Sequence, residues 1–564
     1  MSCISLQSTL VLTLVLLCGL STSTWTDTIY RGTCRFSHKY SNDQLLNNAT
    51  ARKEYVQSVL HYEGNFHSHM NGINVFSGMT IDGCKLDPVT GNTTSPRRYT
   101  AASKESLHLS MLALALNGPT AEGYDPLDYF HYPINLTATE RKLIHTGDNR
   151  VDNVLVTAYR KMDTLERFNA QQPGYGGYVP WSGVNDNGLD NDTQTDTSVP
   201  SLDNGEMVWG IYAVAHVLKQ KYPDHAQLAT RYRNYFDLLA NNAITVFLNR
   251  TSFYFAMSAV VGANNVSVAK NTYRSDGIYS SSGPFEGELF AVFADIFGKW
   301  ENPTQRDSTW DLSLYKLNWT IPAGVITVQR GWTYSSHEAW KYIMMPYQSV
   351  PIQARILANC EKARTWFSTL SGYPGLFAAS YNSTLNYVTS VGIANLSRAS
   401  IDYNDFYTPY GAFPVLMANH SVGLVWYNNM LKGPAMQGPY GSTESGTNDG
   451  KAVANIMSWD TKGPSVIAML GGIGDIVKEA LVGDRKYQMF FDRINSSYTA
   501  QMPYMVGDNV PYGMPPPPAP DATAHYTLCD DYVAPPPSTG IVLRPSINLV
   551  IISVLLLLLL SYTS

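Results

Sequence analysis

Charge is scarce in this chain. Of 564 residues, only 15% are Asp, Glu, Lys or Arg, against roughly a quarter in a typical globular protein. The formal net charge is −6 and there is no basic run, which excludes the usual electrostatic footprint of a nucleic-acid binder. Cysteine is scarce as well. None of the six lies in CxxC spacing, so a structural zinc site is excluded, and no metal or other cofactor is expected. Rossmann-like alternation is missing. Gly471-Gly472-Ile473-Gly474 follows a helical pattern instead of a strand, so it is not a dinucleotide loop. The acidic loop Asn185 to Asp192 fails as a calcium loop. Aligning Gly188 with the obligatory glycine puts Gly183 and Gln194 where carboxylates belong.

The aliphatic runs lie at the ends. Residues 9–20 form a short apolar core followed by the small polar residues Ser21 to Thr24. That pattern fits a secretory leader and is too short to span a bilayer. No Lys or Arg precedes it. At the other end, Ser538-Thr539-Gly540, a spacer and the run Leu549 to Leu560 have the order of a GPI-anchor signal. A tail-anchoring helix would need about 20 apolar residues. The sequence therefore predicts a leader (1–24), a catalytic body (25–505), a proline-rich stalk (506–538) and an anchor signal (539–564). The expected protein is extracellular, held at the cell surface by lipid, and monomeric.

What the chain has is aromatic residues and sequons. There are 37 tyrosines and 11 tryptophans. N-x-S/T occurs at Asn48, Asn92, Asn135, Asn191, Asn249, Asn265, Asn318, Asn382, Asn395, Asn419 and Asn495, a density that suits a glycosylated surface. Outside the leader four cysteines remain, Cys34, Cys84, Cys360 and Cys529. An even count in a secreted chain implies two disulfides. Three pairings are open, and Cys34–Cys84 with Cys360–Cys529 is the one expected.

Helical periodicity recurs along the body at 43–60, 101–116, 138–169 with a break near Thr146-Gly147, 201–218, 225–247, 281–298, 335–345, 349–371, 408–431, 461–479 and 481–493. A strand pair is expected within 252–269 and a hairpin within 308–330. About a dozen helices joined by loops rich in Gly, Pro, Tyr and Trp suit an all-α (α/α)6 toroid, with the loops lining a cleft at one end.

One stretch organises the rest, Ser281-Ser282-Gly283-Pro284-Phe285-Glu286-Gly287-Glu288-Leu289-Phe290. A loop stops at a proline suited to a helix start, and two carboxylates follow in the first turn. Glu286 and Glu288 lie two residues apart, so they point about 200° apart around the helix. One can face a cavity while the other faces away. A carboxyl beside phenylalanines can hold its proton, as a general acid must; both glutamates equally suit the positive end of a helix.

Other loops mix rings with polar groups. The loop from His67 to Cys84 offers Asn71 and Asp82 as sugar contacts. Its two histidines, His67 and His69, have no third ligand in view. Trp181 stands among glycines. Asp203 and Glu206 have capping-box spacing, and Asp203 beside Trp209 can cap the helix, hold a hydroxyl, or both. Three later loops carry Trp332, His337 and Trp340; Tyr410; and Tyr440 with Glu444. Rings of this kind stack on sugar faces while the polar groups bind hydroxyls.

The combination of FEGELF, HEAWKYIMMPY, TPYGAFP, QGPYGSTES and SWDTKGPSVIAMLGG resembles the eukaryotic endo-β-1,2-glucanases, glycoside hydrolase family 162, and more distantly the bacterial family 144. The resemblance spans about Asn65 to Val477. It implies an (α/α)6 barrel and an inverting hydrolase of internal β-1,2-glucosidic bonds, whose acid can act through a substrate hydroxyl. Carried onto this chain, the acid is Glu288, or Glu286 with a register two residues earlier. The base is Asp460, with Asp449 as the alternative; as a structural residue, Asp460 would cap its helix. An inverting pair is expected to stand more than ~5 Å apart. The rival readings are an α-mannanase or transglycosidase on the same toroid, or a non-catalytic glucan-binding surface protein. The first is disfavoured because the only Asp-Asp pair, Asp530-Asp531, lies beside the stalk.

Overall fold

A computed structural model describes residues 34–190, 197–262, 267–268, 273–279, 287–310, 314–375, 380–381, 387–388, 392–401, 405–518 and 524–529. The leader, the anchor signal, Glu286, Asp530-Asp531 and the sequons Asn191, Asn265 and Asn382 lie outside the described residues.

The chain folds as an (α/α)6 barrel. Its principal helices are α1 (Ala49–Gly64), α2 (Ala102–Asn117), α3 (Asn149–Gln171), α4 (Ser201–Lys221), α5 (Ala226–Phe247), α6 (Gly287–Phe297) and α7 (Trp340–Met344). They continue with α8 (Pro351–Ser371), α9 (Phe413–Ala418), α10 (His420–Leu431), α11 (Trp459–Met469), α12 (Gly474–Gly483) and α13 (Tyr487–Gln501). Sequence decides which ring each joins. Helices α2 and α4 are apolar nearly all round and bury almost every residue; such a helix must lie inside. Helices α3 and α5 carry an apolar stripe and a charged face, and they cover the outside. The inner ring runs α2, α4, α6, α7, α9, α11, with α2 packed on both α4 and α11.

Several expected helices are broken in two, each for a local reason. Asn48 interrupts the run at 43–60 because its Oδ1 accepts the Ala51 N–H and caps a new helix. Asn419 does the same ahead of α10. The run at 461–479 breaks at Gly471 and Gly472, whose φ values of 88° and 75° suit a glycine helix end. Asp203 does not cap its helix: α4 begins at Ser201, with Pro200 in the capping position and no side-chain cap.

The hairpin expected at 308–330 is present as Lys316–Ile321 paired with Gly324–Gln329. The pair expected within 252–269 is not self-contained. Phe255–Val260 lies between Ser198–Pro200 and Arg274–Tyr279.

Two sequence expectations are corrected by the covalent and C-terminal structure. The disulfide joins Cys34 to Cys529, while Cys84 and Cys360 are free thiols. Proximity decides it: the Cα atoms of Cys34 and Cys529 lie 5.1 Å apart, while Cys84 sits in the core against the carbonyl of Met70 and Cys360 lies within α8. Nor is the proline-rich stretch a free stalk over Pro511 to Pro516. Its carbonyls accept hydrogen bonds from the body: Pro511 from Trp366, Gly513 from Trp426, Met514 from Thr369 and Pro516 from Asn429. Prolines give up N–H donors, not acceptors, so the segment docks through its oxygens.

Candidate active site

A three-stranded sheet brings distant residues to one end of the barrel. Gly83–Leu86 pairs with Thr93–Arg97 on one side and Ile456–Ser458 on the other, with Gly83 opposite both Arg97 and Ser458. The approach is so close that a Cβ on Gly83 would fall 1.9 Å from the Met457 carbonyl oxygen. This register puts Asp82, Arg97 and the start of α11 together. Arg97 Nη1 lies 3.0 Å from Asp82 Oδ2, and the Trp459 N–H donates to the Asp82 carbonyl at 3.0 Å.

Into this corner the first turn of α2 sends Lys104. Its Nζ donates to Asp460 Oδ2 at 2.8 Å and lies 3.8 Å from Asp82 Oδ1. The Lys104 ammonium sits 5.0 Å from the Trp181 ring centre. Trp181 in turn donates Nε1–H to Asp203 Oδ2 at 3.1 Å, and Tyr99 stacks on it at 5.8 Å. Asp82, Trp181, Asp203 and Asp460, all read as site residues, are thus joined by a lysine that was not.

Asp460 is the open member. Its side chain keeps 20% of its surface exposed, while those of Asp82 and Lys104 keep about 5% or less. It is not the helix cap. Ser458 takes that role by accepting the Thr461 N–H, which leaves the Asp460 carboxyl to side chains. Oδ1 accepts no hydrogen bond from the described residues. Behind it Glu444 is buried, with Ser458 Oγ donating to both its oxygens. Burial pushes the Glu444 carboxyl up to about 7, with Asp460 and Asp82 adding to the rise against the Ser458 and Thr461 hydroxyls. Burial also raises Asp82, against the pull of Lys104 and Arg97. Burial works against the Lys104 charge, yet Asp460, Asp82 and Asp203 hold it above the ordinary lysine value.

Glu288 lies elsewhere and in a different setting. Its side chain has no exposed surface. Oε2 accepts from Lys341 at 2.9 Å and from Tyr498 at 2.6 Å, and Oε1 accepts from Tyr347 at 2.9 Å. Both oxygens are engaged in the core. Gly287, which follows Glu286 in the chain, packs at the other side of α6: a Cβ there would come within 2.5 Å of the Tyr279 ring and 3.1 Å of Leu202. Leu202 is the neighbour of Asp203, so the chain enters α6 beside the cleft end of α4.

The remaining expected residues divide by exposure. Asp449 is in an exposed turn, paired with Lys451 at 2.8 Å and bonded by Thr447. Trp209, Trp340 and Tyr410 are core residues, at 2% exposure or less. Trp209 donates to the Leu289 carbonyl and Trp340 to the Tyr410 hydroxyl, so none of these rings has a face for a sugar. The exposed tryptophan beside Asp203 is Trp181, not Trp209. His337 bonds the Tyr410 hydroxyl at 3.2 Å. Trp332 is exposed, with Arg398 5.9 Å from its ring. Tyr440 donates to Asn92 at 3.3 Å, and Asn71 donates to Ser68 at 2.8 Å. Besides Lys104, sequence reasoning missed Arg97. Lys104 in the first turn of α2, a helix with no exposed face, was the available signal, because such a charge needs a buried partner.

A helical barrel with acidic side chains and an exposed indole gathered at one end is the architecture of a glycoside hydrolase. The profile of the family Endo-beta-1,2-glucanase SGL, glycoside hydrolase family 162, matches residues 79–530. The chain belongs to that family. An endo-beta-1,2-glucanase from Talaromyces funiculosus, solved with sophorose, is 30% identical. It superposes with a TM-score of 0.80 over 88% of this chain and 100% of its own. A mutant of that enzyme, solved with beta-1,2-glucan, matches equally well over 88% and 99%. An endo-beta-1,2-glucanase from Chitinophaga pinensis shares the fold, with a TM-score of 0.52 at 13% identity over 81% of this chain and 98% of its own. No curated protein sequence matches the chain.

Proposed function

We propose that this chain cleaves internal β-1,2-glucosidic bonds of linear β-1,2-glucan with inversion, using Asp460 as general base and Glu286 as general acid. The observation that carries the reading is the state of Asp460. It is partly exposed at the cleft end, with one oxygen held by Lys104 and the other unengaged among the described residues. In the reaction, Asp460 Oδ1 takes a proton from a water as that water attacks the anomeric carbon. The acid protonates the leaving oxygen on the opposite face, directly or through a substrate hydroxyl, as the family resemblance implies. Glu286 is preferred to Glu288 because the latter is sealed in the core by three donors. Membership of a family whose relatives were solved with sophorose and beta-1,2-glucan supports the substrate.

The leader and anchor signal read in the sequence complete the proposal: a secreted enzyme held at the cell surface by lipid, acting as a monomer. Product analysis against a panel of defined glucans tests the activity. Release of β-1,2-linked oligosaccharides with an inverted anomeric proton signal supports it, and inactivity on every β-glucan overturns it. Cleavage by phospholipase C that frees the protein from cells tests the anchor.

A further inference from the structure

We propose that Lys104 is a positioning residue for the base: its ammonium holds Asp460 Oδ2 and thereby fixes Oδ1 toward the attacking water. The inference rests on Asp460 being the base. It adds a residue that neither the sequence motifs nor the family match points to.

The geometry leaves Lys104 little freedom. It stands in the first turn of a helix buried on all sides, and its side chain keeps only 5% of its surface. The ammonium faces charges from every neighbouring element. Asp460 comes from α11 at 2.8 Å, and Asp82 from the loop before Gly83 at 3.8 Å. Arg97, from the next strand, lies on the far side of Asp82 at 3.0 Å. Asp203 comes from α4, held by Trp181, and Glu444 lies behind Asp460. Arg97 pairs with Asp82 Oδ2, and Lys104 lies between Asp82 Oδ1 and Asp460 Oδ2. The Trp181 ring covers it on the cleft side.

A carboxylate with two free oxygens can rotate and offer either. One held by a buried ammonium cannot. General-base work needs a fixed acceptor within reach of the proton. Ser458 contributes by capping α11, which leaves the Asp460 carboxyl available to Lys104.

The test compares Lys104→Met and Lys104→Arg in the intact body. On linear β-1,2-glucan, kcat and KM are measured separately, with D460N as the reference for loss of the base. Lys104→Met is expected to lower kcat at least tenfold, with little change in KM. Lys104→Arg, which keeps a cation in place, should recover most of the rate. If Lys104→Met fails to fold, the double variant Asp82→Asn with Lys104→Met removes one charge of each sign and carries the same comparison. An unchanged kcat in a folded methionine variant, beside an inactive D460N, overturns the positioning role. If D460N stays fully active, it is the base assignment that fails.

Discussion

Two of the lysine–carboxylate pairs in this barrel are built to opposite ends. Around Glu288 every oxygen is occupied: Lys341, Tyr347 and Tyr498 surround it, and no surface reaches solvent. Burial lowers the Lys341 pKa against the pull of Glu288. Around Asp460 the pairing is incomplete: one oxygen is held, the other is open, and a fifth of the side chain is exposed. The closed pair ties α6 to α7 and α13. The open pair is the one we propose for the chemistry. Two lysine-bound carboxylates in the same fold thus differ in how many donors reach them.

The sharpest way to break this comparison is to neutralise the open carboxylate. D460N should reduce glucan hydrolysis by about 10²–10⁴-fold, the usual contribution of a general base, with no change in melting temperature. Retained activity would remove Asp460 from the reaction. On the closed side the expected loss is stability. Glu288→Ala leaves Lys341 buried without its partner, which costs about 3–5 kcal/mol, read as a shift in the urea midpoint. Glu288→Met with Lys341→Met should recover most of that loss, because removing both charges spares the unpaired cation.

A pH series sharpens the contrast by a smaller amount. Glu444 is protonated in the folded state up to about pH 7, whereas an unfolded glutamate ionises near 4.5. A raised carboxyl pKa gives stability that is fully present below the unfolded value and is lost as pH rises through the folded one. Unfolding free energy should therefore fall between pH 4.5 and pH 7 by up to about 3 kcal/mol. Glu444→Gln should flatten that slope; an equally steep slope in the variant would show that another group causes it. Smallest is the effect at Trp181. Trp181→Ala should raise KM by about tenfold, a loss of roughly 1.4 kcal/mol, with the fold intact. Trp340→Ala, a core change, should instead cost about 3–5 kcal/mol of stability.

The contrast also separates what was legible in the sequence from what was not. The inner helices could be read directly, because a run such as Ala102 to Asn117 has no polar face and must lie inside. The cleft cluster was half legible. Asp82, Asp203 and Asp460 stand at loop ends and helix starts, where polar groups have reason to be. Lys104 was hidden because its partners come from 22 residues before it and 356 after it, and only the strand register joins them. Rings were the least reliable signal. Trp181 and Trp209 look alike in sequence, yet one is 45% exposed and the other fully buried, since Trp209 lies on α4 against Leu289 of α6 while Trp181 lies outside the helices, before the strand Ser182–Asn185. The disulfide was misread because pairing follows where the fold brings the chain back, which cysteine spacing does not record: Cys34 and Cys529 meet across 495 residues.

The central claim is that, of the two glutamates weighed as the acid, Glu288 serves the core and Glu286 the reaction. Reducing-end release from linear β-1,2-glucan by Glu286→Gln and Glu288→Gln, normalised to folded protein, tests it directly. The account predicts at least a hundredfold loss for Glu286→Gln and a rate within a few-fold of the parent for folded Glu288→Gln. The reverse order would contradict it.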